Sequence, residues 1–498
     1  MSAVSDDRGA AAGAWSRLAK TFFGLDLRSL ALFRIGLALV LLADLADRWP
    51  YLAAHYTDDG VLPRGLVPIY VPVSLHALGG STAYEQLLFV LAGAVAVALL
   101  VGYRTQPATL VSWLLLLSLH ARNPLVLHGG DLMLRLLLFW SIFLPLGACW
   151  SVDARRAAET TPPARPLVSS VATLALLLQA VFVYWFGLAA RTDPAWWGDA
   201  TAVPYALNLD FYATSLGVWA RGLPPEMLRA ATVATVAIEG GGPLLLLLSG
   251  GLGRLRSIVV ALMIAFHVLL GLAMRLGTFP LVCVVAWLPF LPAWFWDDLV
   301  PRLGRFVSRR SATDPAKPAE AATAAPASLS PLATGVVVLC LAYVCLCNVL
   351  ALQEEGGGFI LARIKGIGID QAWGMFAPFP NREDGWYVVE ARLQNGTTVD
   401  PFRGGPVIWE KPPRISALYP SIRWAAYLSL LRRDEYDLYR PYFANYLGHR
   451  WNTEHVGGET AESVEVYYML RFIQPDYTAT EPKKRLLVRL QREPDAGR

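Results

Sequence analysis

Charge is scarce in this chain. Only 16% of its 498 residues are Asp, Glu, Lys or Arg, against about 25% in an ordinary soluble domain. With 55% hydrophobic residues and a mean hydropathy of +0.42, the composition is that of a polytopic membrane protein. The net charge of +4 is small. No basic run interleaved with aromatics marks a nucleic-acid surface, so no nucleic-acid partner is expected. Cys149, Cys283, Cys340, Cys345 and Cys347 all fall in apolar segments, with no CxxC and no Cys/His pattern of zinc spacing. That argues against a disulfide framework and a structural metal site. GxSxG, HExxH, GxxxxGK[ST] and GxGxxG are missing, which removes the common hydrolase and nucleotide sites. Residues 1–14 are small and polar rather than a cleavable signal, and residues 15–27 (AWSRLAKTFFGLD) have the pattern of a short amphipathic helix on a membrane surface. No repeat of solenoid type is present, nor the paired halves of a transporter.

What is present is a series of apolar runs. A spanning helix needs about 20 mainly apolar residues. Nine candidates meet that pattern: 29–49, 83–103, 107–121, 131–150, 166–190, 229–250, 255–275, 277–297 and 332–352. The third is short and the seventh and eighth nearly touch, so eight or ten are the neighbouring counts. With the N-terminus inside, the inner segments hold fifteen Lys and Arg, and the outer loops and helix ends hold seven. This bias predicts a cytoplasmic N-terminus. Nine spans then put residues 353–498 on the outer side. Residues 298–331 include SATDPAKPAEAATAAPASLS, an Ala/Pro linker expected to be cytoplasmic.

After residue 353 the chain turns polar. GWYVVEARLQNGTTVDPF carries Asn395-Gly396 between two alternating segments, a hairpin signal. ESVEVYYMLRFI and KRLLVRLQ read as further strands, and residues 417–447 as helical. The expected fold is therefore an all-α polytopic membrane domain of about nine helices, followed by a small α+β extramembrane domain.

The polar groups of the membrane region are unevenly placed. Ionisable side chains there cost several kcal/mol unless paired or hydrated, so they are site candidates. The stretch HARNPLVLHGGDLMLRLLLFWSIFLPLG, from His120 to Gly147, gathers His120, Arg122, Asn123, His128 and Asp131 at the mouth of an apolar helix. Asp131 and Arg135 are four apart and share one helix face. Asp44, Asp47 and Arg48 end the first span, Arg191 follows the fifth, and His267 lies toward the outer end of the seventh. Arg34 sits in the first turns of span one. Glu239 stands mid-span beside three glycines that permit close backbone approach. The bland alternatives are ion pairs pinning helices, loop caps, snorkelling at an interface, and, for His267, a satisfied core histidine. Gathering most of them at one face is what a polar cavity open to the outer leaflet requires.

LDLRSLALFRIGLALVLLADL, HYTDDGVLPR, ARNPLVLHGGDLMLRLLLFWSIFLPLG and YWFGLAARTDPAWWGDATAVPYAL together resemble the HTTM domain, over about residues 20–297. This is the membrane domain of the vitamin K-dependent gamma-carboxylases and their bacterial relatives. WGMFAPFPNREDGWYVVEARLQNGTTVD resembles the extramembrane segment that follows it in bacterial members. The resemblance implies a gamma-carboxylase-like membrane fold in a bacterial inner membrane. It also implies a chemistry in which a lysine deprotonates a reduced quinone, oxygen yields a strong base, and a glutamyl carbanion takes up carbon dioxide. The lysine-bearing segment of those enzymes matches Tyr184 to Trp196, where the two lysine positions are Ala190 and Arg191. Arginine is not deprotonated in proteins, so Arg191 cannot be that base, though it can hold an anion. The Phe-His dipeptide of the carboxylases matches Phe266-His267, and their acidic residue aligns loosely with Glu239.

The expectations are then specific. Arg191, Glu239, His267, His128 and Asp131 are the catalytic candidates. Arg34, His120, Arg122, Asn123 and Arg135 are the candidates for lining a cavity that takes a reduced, vitamin K-like quinone or another lipid, with Asp131–Arg135 in support. A protein or peptide substrate on the outer side is the implied partner, and a hydroquinone-oxidising or epoxidase-like reaction the implied chemistry. The competing reading is a non-catalytic lipid-binding or scaffold protein that presents its outer domain to a partner.

Overall fold

The computed structural model describes residues 20–67, 74–158, 167–302, 329–353 and 367–491. Residues 15–19 of the expected interfacial helix 15–27 and most of the Ala/Pro linker lie outside these residues. Eleven helices carry the argument: α1 Leu27–Arg48, α2 Thr82–Val101, α3 Thr105–Arg122, α4 Gly129–Ser141, α5 Val171–Ala189, α6 Pro225–Leu248, α7 Gly253–Ala273, α8 Phe279–Trp287, α9 Pro331–Gln353, α10 Ile422–Leu431 and α11 Arg440–Glu454. Six described helices are long and apolar enough to cross a membrane: α1 with its extension to Tyr56, α2, α5, α6, α7 and α9.

Burial separates the centre from the rim. In the most apolar stretch of α5, 72% of residues are buried, against 22% in α6 and in α9. α5 is thus the central post, and α6 and α9 turn Leu and Val side chains outward, as helices facing lipid do. Two expected spans are shorter than hydropathy suggests. The run 131–150 is helical only to Ser141, about 20 Å at 1.5 Å per residue, before turns around Pro145. The run 277–297 breaks after Phe290 and turns by 89° into Phe295–Arg302. Pro292 stands in the break, where a helix cannot keep its hydrogen bond.

The C-terminal domain is a four-stranded antiparallel sheet in the order β2-β1-β3-β4, with β1 Glu383–Leu393, β2 Thr398–Val399, β3 Ala461–Phe472 and β4 Lys483–Gln491. Asn395-Gly396 makes the β1–β2 turn, with Gly396 at φ +83°, a conformation that costs glycine little. β1 is buried almost continuously rather than on alternate residues, because both of its faces are covered. Trp386, Val388 and Tyr427 share one core with Leu52, Tyr56, Leu119 and Val126 of the membrane domain. The two parts are therefore packed together.

Asp210, in the loop between α5 and α6, adds polar fastening. It takes hydrogen bonds from Arg221 at 2.7 Å and from Lys411 of the C-terminal domain, with Arg471 at 3.5 Å. Burial pushes its carboxyl up, but the bonds from Lys411 and Arg221 prevail and hold it below the usual range. A carboxylate with a depressed value contributes stability above its unfolded value of about 3.9 and loses it as the pH falls below that. Asp210→Asn is therefore expected to lower the melting temperature at pH 7, with the gap from wild type narrowing in scans below about pH 4. An equal gap at both pH values would show that the carboxylate charge contributes nothing.

Candidate functional site

The charged residues separate into two sites. The first is a buried lattice at the end of the membrane domain that carries the C-terminal domain. Asp44 and Arg48 sit one turn apart on α1 and bond at 2.8 Å. Arg48 also reaches Asp131 at 2.5 Å and the Tyr56 hydroxyl. Arg423, from α10, donates to both Asp44 and Asp131. All four charged side chains are 1% exposed or less, so two cations and two anions balance out of water. Asp131 also accepts the His128 amide at 2.7 Å, closing the capping box of α4.

This placement corrects the expected support of Asp131 by Arg135. Arg135 makes no bond to Asp131, and its Nε has no hydrogen-bond partner. His120 lies 3.6 Å from Asp131 with neither ring nitrogen hydrogen-bonded. Arg122 donates to the carbonyls of Leu62 and Thr57 at 2.8 and 3.0 Å, and Asn123 to that of His55 at 2.7 Å. Both fasten the loop after α1. Arg34 is at the opposite end of the bundle, donating to the Trp150 carbonyl at 2.6 Å, against Gly102, where any side chain would collide with it. None of Arg34, His120, Arg122, Asn123 and Arg135 lines the cavity described next.

The second site is a cavity of about 360 Å³ between α5, α6, α7 and the segment Trp373–Phe376. Its walls are mostly apolar, and Arg191, Glu239, His267 and Tyr184 are among them. Arg191, just past the end of α5, forms a two-point ion pair with Glu239 of α6, its second contact at 3.4 Å. The guanidinium lies 4.1 Å from the centre of the Trp196 ring, a stacking position that suits arginine. The arginine and glutamate side chains are 6% and 12% exposed.

His267 and Tyr184 form the second polar pair. His267 Nδ1 lies 2.8 Å from the Met263 carbonyl, which can only accept, so Nδ1 carries the proton and Nε2 is the free base. Nε2 faces the Tyr184 hydroxyl at 3.3 Å, and that hydroxyl accepts from Trp287 Nε1 at 2.8 Å. Tyr184 therefore points its proton at His267. Arg191, Glu239 and His267, expected to share one space, do so. His128 and Asp131 do not: Asp131 belongs to the buried lattice, and His128 lines a separate chamber.

Sequence reading passed over Tyr184, although Tyr184, Gly187 and Arg191 fall at i, i+3 and i+7 and all three line the cavity. It also passed over Trp373, Met375 and Phe376, which come from beyond the last span and close the cavity. The HTTM domain model matches residues 22–294. The chain belongs to the HTTM domain family. No curated protein and no solved structure matches it. This HTTM protein has no lysine anywhere between Lys20 and Lys317. The matched domain therefore holds no lysine at any position, and the ionisable side chains on the cavity wall are Tyr184, Arg191, Glu239 and His267.

Proposed function

We propose that this HTTM protein binds a reduced quinone, or a lipid with a similar polar ring, in the cavity between α5, α6 and α7 and exchanges protons with it. The observation that carries this reading is the Tyr184–His267 pair in an otherwise apolar cavity. A ligand hydroxyl at Tyr184 gives its proton to the phenol oxygen as the phenol proton moves to His267 Nε2. Proton transfer to a positioned side chain of this kind is worth 10²–10⁴-fold, roughly. The Arg191 guanidinium stabilises the ring anion left behind. Exposed Trp219 and Leu269 lie on the cavity wall, which supports entry from the hydrocarbon side. In this reading the protein sits in a bacterial inner membrane with its C-terminal domain outside, as the distribution of Lys and Arg supports.

The non-catalytic reading retains one observation in its favour: Glu239 is not a free carboxylate but is neutralised by Arg191. The experiment that separates the two is solvent extraction of the purified protein with mass spectrometry of the extract, followed by oxygen uptake on adding a reduced quinone. A co-purifying quinone and uptake that falls about 10²-fold in Tyr184→Phe and His267→Ala is the expected result. A bound lipid with no uptake above the protein-free rate would leave the binding role alone.

A further inference from the structure

A second cavity, of about 370 Å³, lies between the membrane and C-terminal domains. It shares four lining residues with the first: Leu276, Phe279, Met375 and Phe376. The two spaces are thus neighbours across a partition one side chain thick. Leu276 and Phe279 belong to the turn into α8, whereas Met375 and Phe376 come from the segment leading to β1. The Phe376 carbonyl is held by Trp196 Nε1 at 3.1 Å, its ring lies 5.9 Å from that of Tyr212, and its φ is +57°, a strained value for a residue with a side chain. Met375 is unbranched and adapts to its surroundings.

The two chambers differ in kind. The first is apolar around its two polar pairs. The second is lined by charged and hydroxyl groups, among them Glu383, Asp384, Arg432, Arg433 and Ser429. Two buried polar atoms on its wall, His128 Nε2 and Asp384 Oδ1, make no hydrogen bond within the protein. Buried polar atoms without protein partners take water when the space is roomy and polar. The second chamber therefore offers sites for water, and it adjoins the more apolar one across Phe376 and Met375.

Resting on the first cavity as the ligand site, we infer that the second chamber is the aqueous port of that site. It brings a small polar co-reactant, and the protons exchanged by Tyr184 and His267, from the water side, and Phe376 with Met375 is its gate. The lipid-soluble partner enters from the hydrocarbon. The water-borne one enters past Phe376, so the reacting groups meet both without opening the cavity to bulk water.

The test is cysteine accessibility in the full-length protein, read residue by residue by mass spectrometry. Thr235→Cys reports the first cavity and Ser429→Cys the second. The probe is the charged, membrane-impermeant thiol reagent trimethylammonium-ethyl methanethiosulfonate. Ser429→Cys should react at one rate in every background, which also certifies the fold. Thr235→Cys should react slowly with native Phe376 and about tenfold faster with Phe376→Ala, a barrier lowered by ~1.4 kcal/mol. Phe376→Trp should slow it, and Met375→Ala should speed it independently. Equal rates at Thr235→Cys across these variants, or no reaction in Phe376→Ala, would overturn the gate. N-ethylmaleimide, which crosses hydrocarbon, should label Thr235→Cys in all of them. The labelling needs neither quinone binding nor turnover, so the port can fail while the ligand site stands, and the reverse.

Discussion

Arg423→Ala is expected to destabilise the protein by about 3–5 kcal/mol, the cost of removing one partner from a buried ion pair. Arg423 faces two aspartates at once, Asp44 and Asp131, and a third, Asp47, at 3.6 Å. Without it, Arg48 alone offsets Asp44 and Asp131. Water cannot take over, because the lattice is sealed by the shared core of the two domains. The loss should appear as a lower melting temperature and as faster hydrogen exchange in β1 and β3, since α10 is the element that brings Arg423 down. Salt should change it little, as screening acts weakly on buried pairs. The decisive variant is the double one. Arg423→Met with Asp131→Asn restores charge balance, and Asn can still accept the His128 amide that caps α4. It should be more stable than the sum of the two single changes, an interaction energy of about 0.5–3 kcal/mol for groups in direct contact. Strict additivity would mean that the lattice is a set of unrelated contacts.

That lattice also shows where sequence reading stopped. The polar residues of 120–135 are legible as a cluster because they are close in sequence and foreign to their apolar surroundings. The partners that decide their roles are not close. Arg423 is 292 residues from Asp131, in a stretch that reads only as helical. The one partner within reach, Arg135 at i+4, shares a helix face with Asp131, yet the two make no bond. Hydropathy identified the long helices for the same local reason, and it overran α4 and α8 because proline ends a helix without altering a window average. The Arg191–Glu239–His267 cavity was legible further, because Glu239 and His267 each stand alone in an apolar run, Arg191 ends another, and such residues must find partners. Tyr184 escaped because tyrosine is at home in a membrane helix, and Phe376 because its segment follows the last span.

Arg191→Lys alone is expected to confer no carboxylase activity, although lysine is what the carboxylases carry in this segment. The reason is Glu239. Arg191 meets it with both terminal nitrogens and stacks on Trp196; a lysine loses the fork and the stacking but keeps the charge contact. A carboxylate that close favours the protonated ammonium, which cannot act as a base. Arg191→Lys with Glu239→Gln removes that restraint and leaves an amine in an apolar cavity, the condition that frees a lysine to act as a base. Incorporation of labelled carbon dioxide into a glutamyl peptide, with a reduced quinone and oxygen supplied, is expected from the double variant only. Activity in Arg191→Lys alone would show that Glu239 does not hold the charge in place. Glu239→Gln by itself leaves the guanidinium unpaired in a nearly sealed site and should cost about 3–5 kcal/mol in thermal unfolding. The same change should tighten binding of an anionic quinone ring, because the freed guanidinium no longer has a carboxylate to satisfy. Stability and affinity therefore move in opposite directions, an outcome that a purely structural ion pair does not produce.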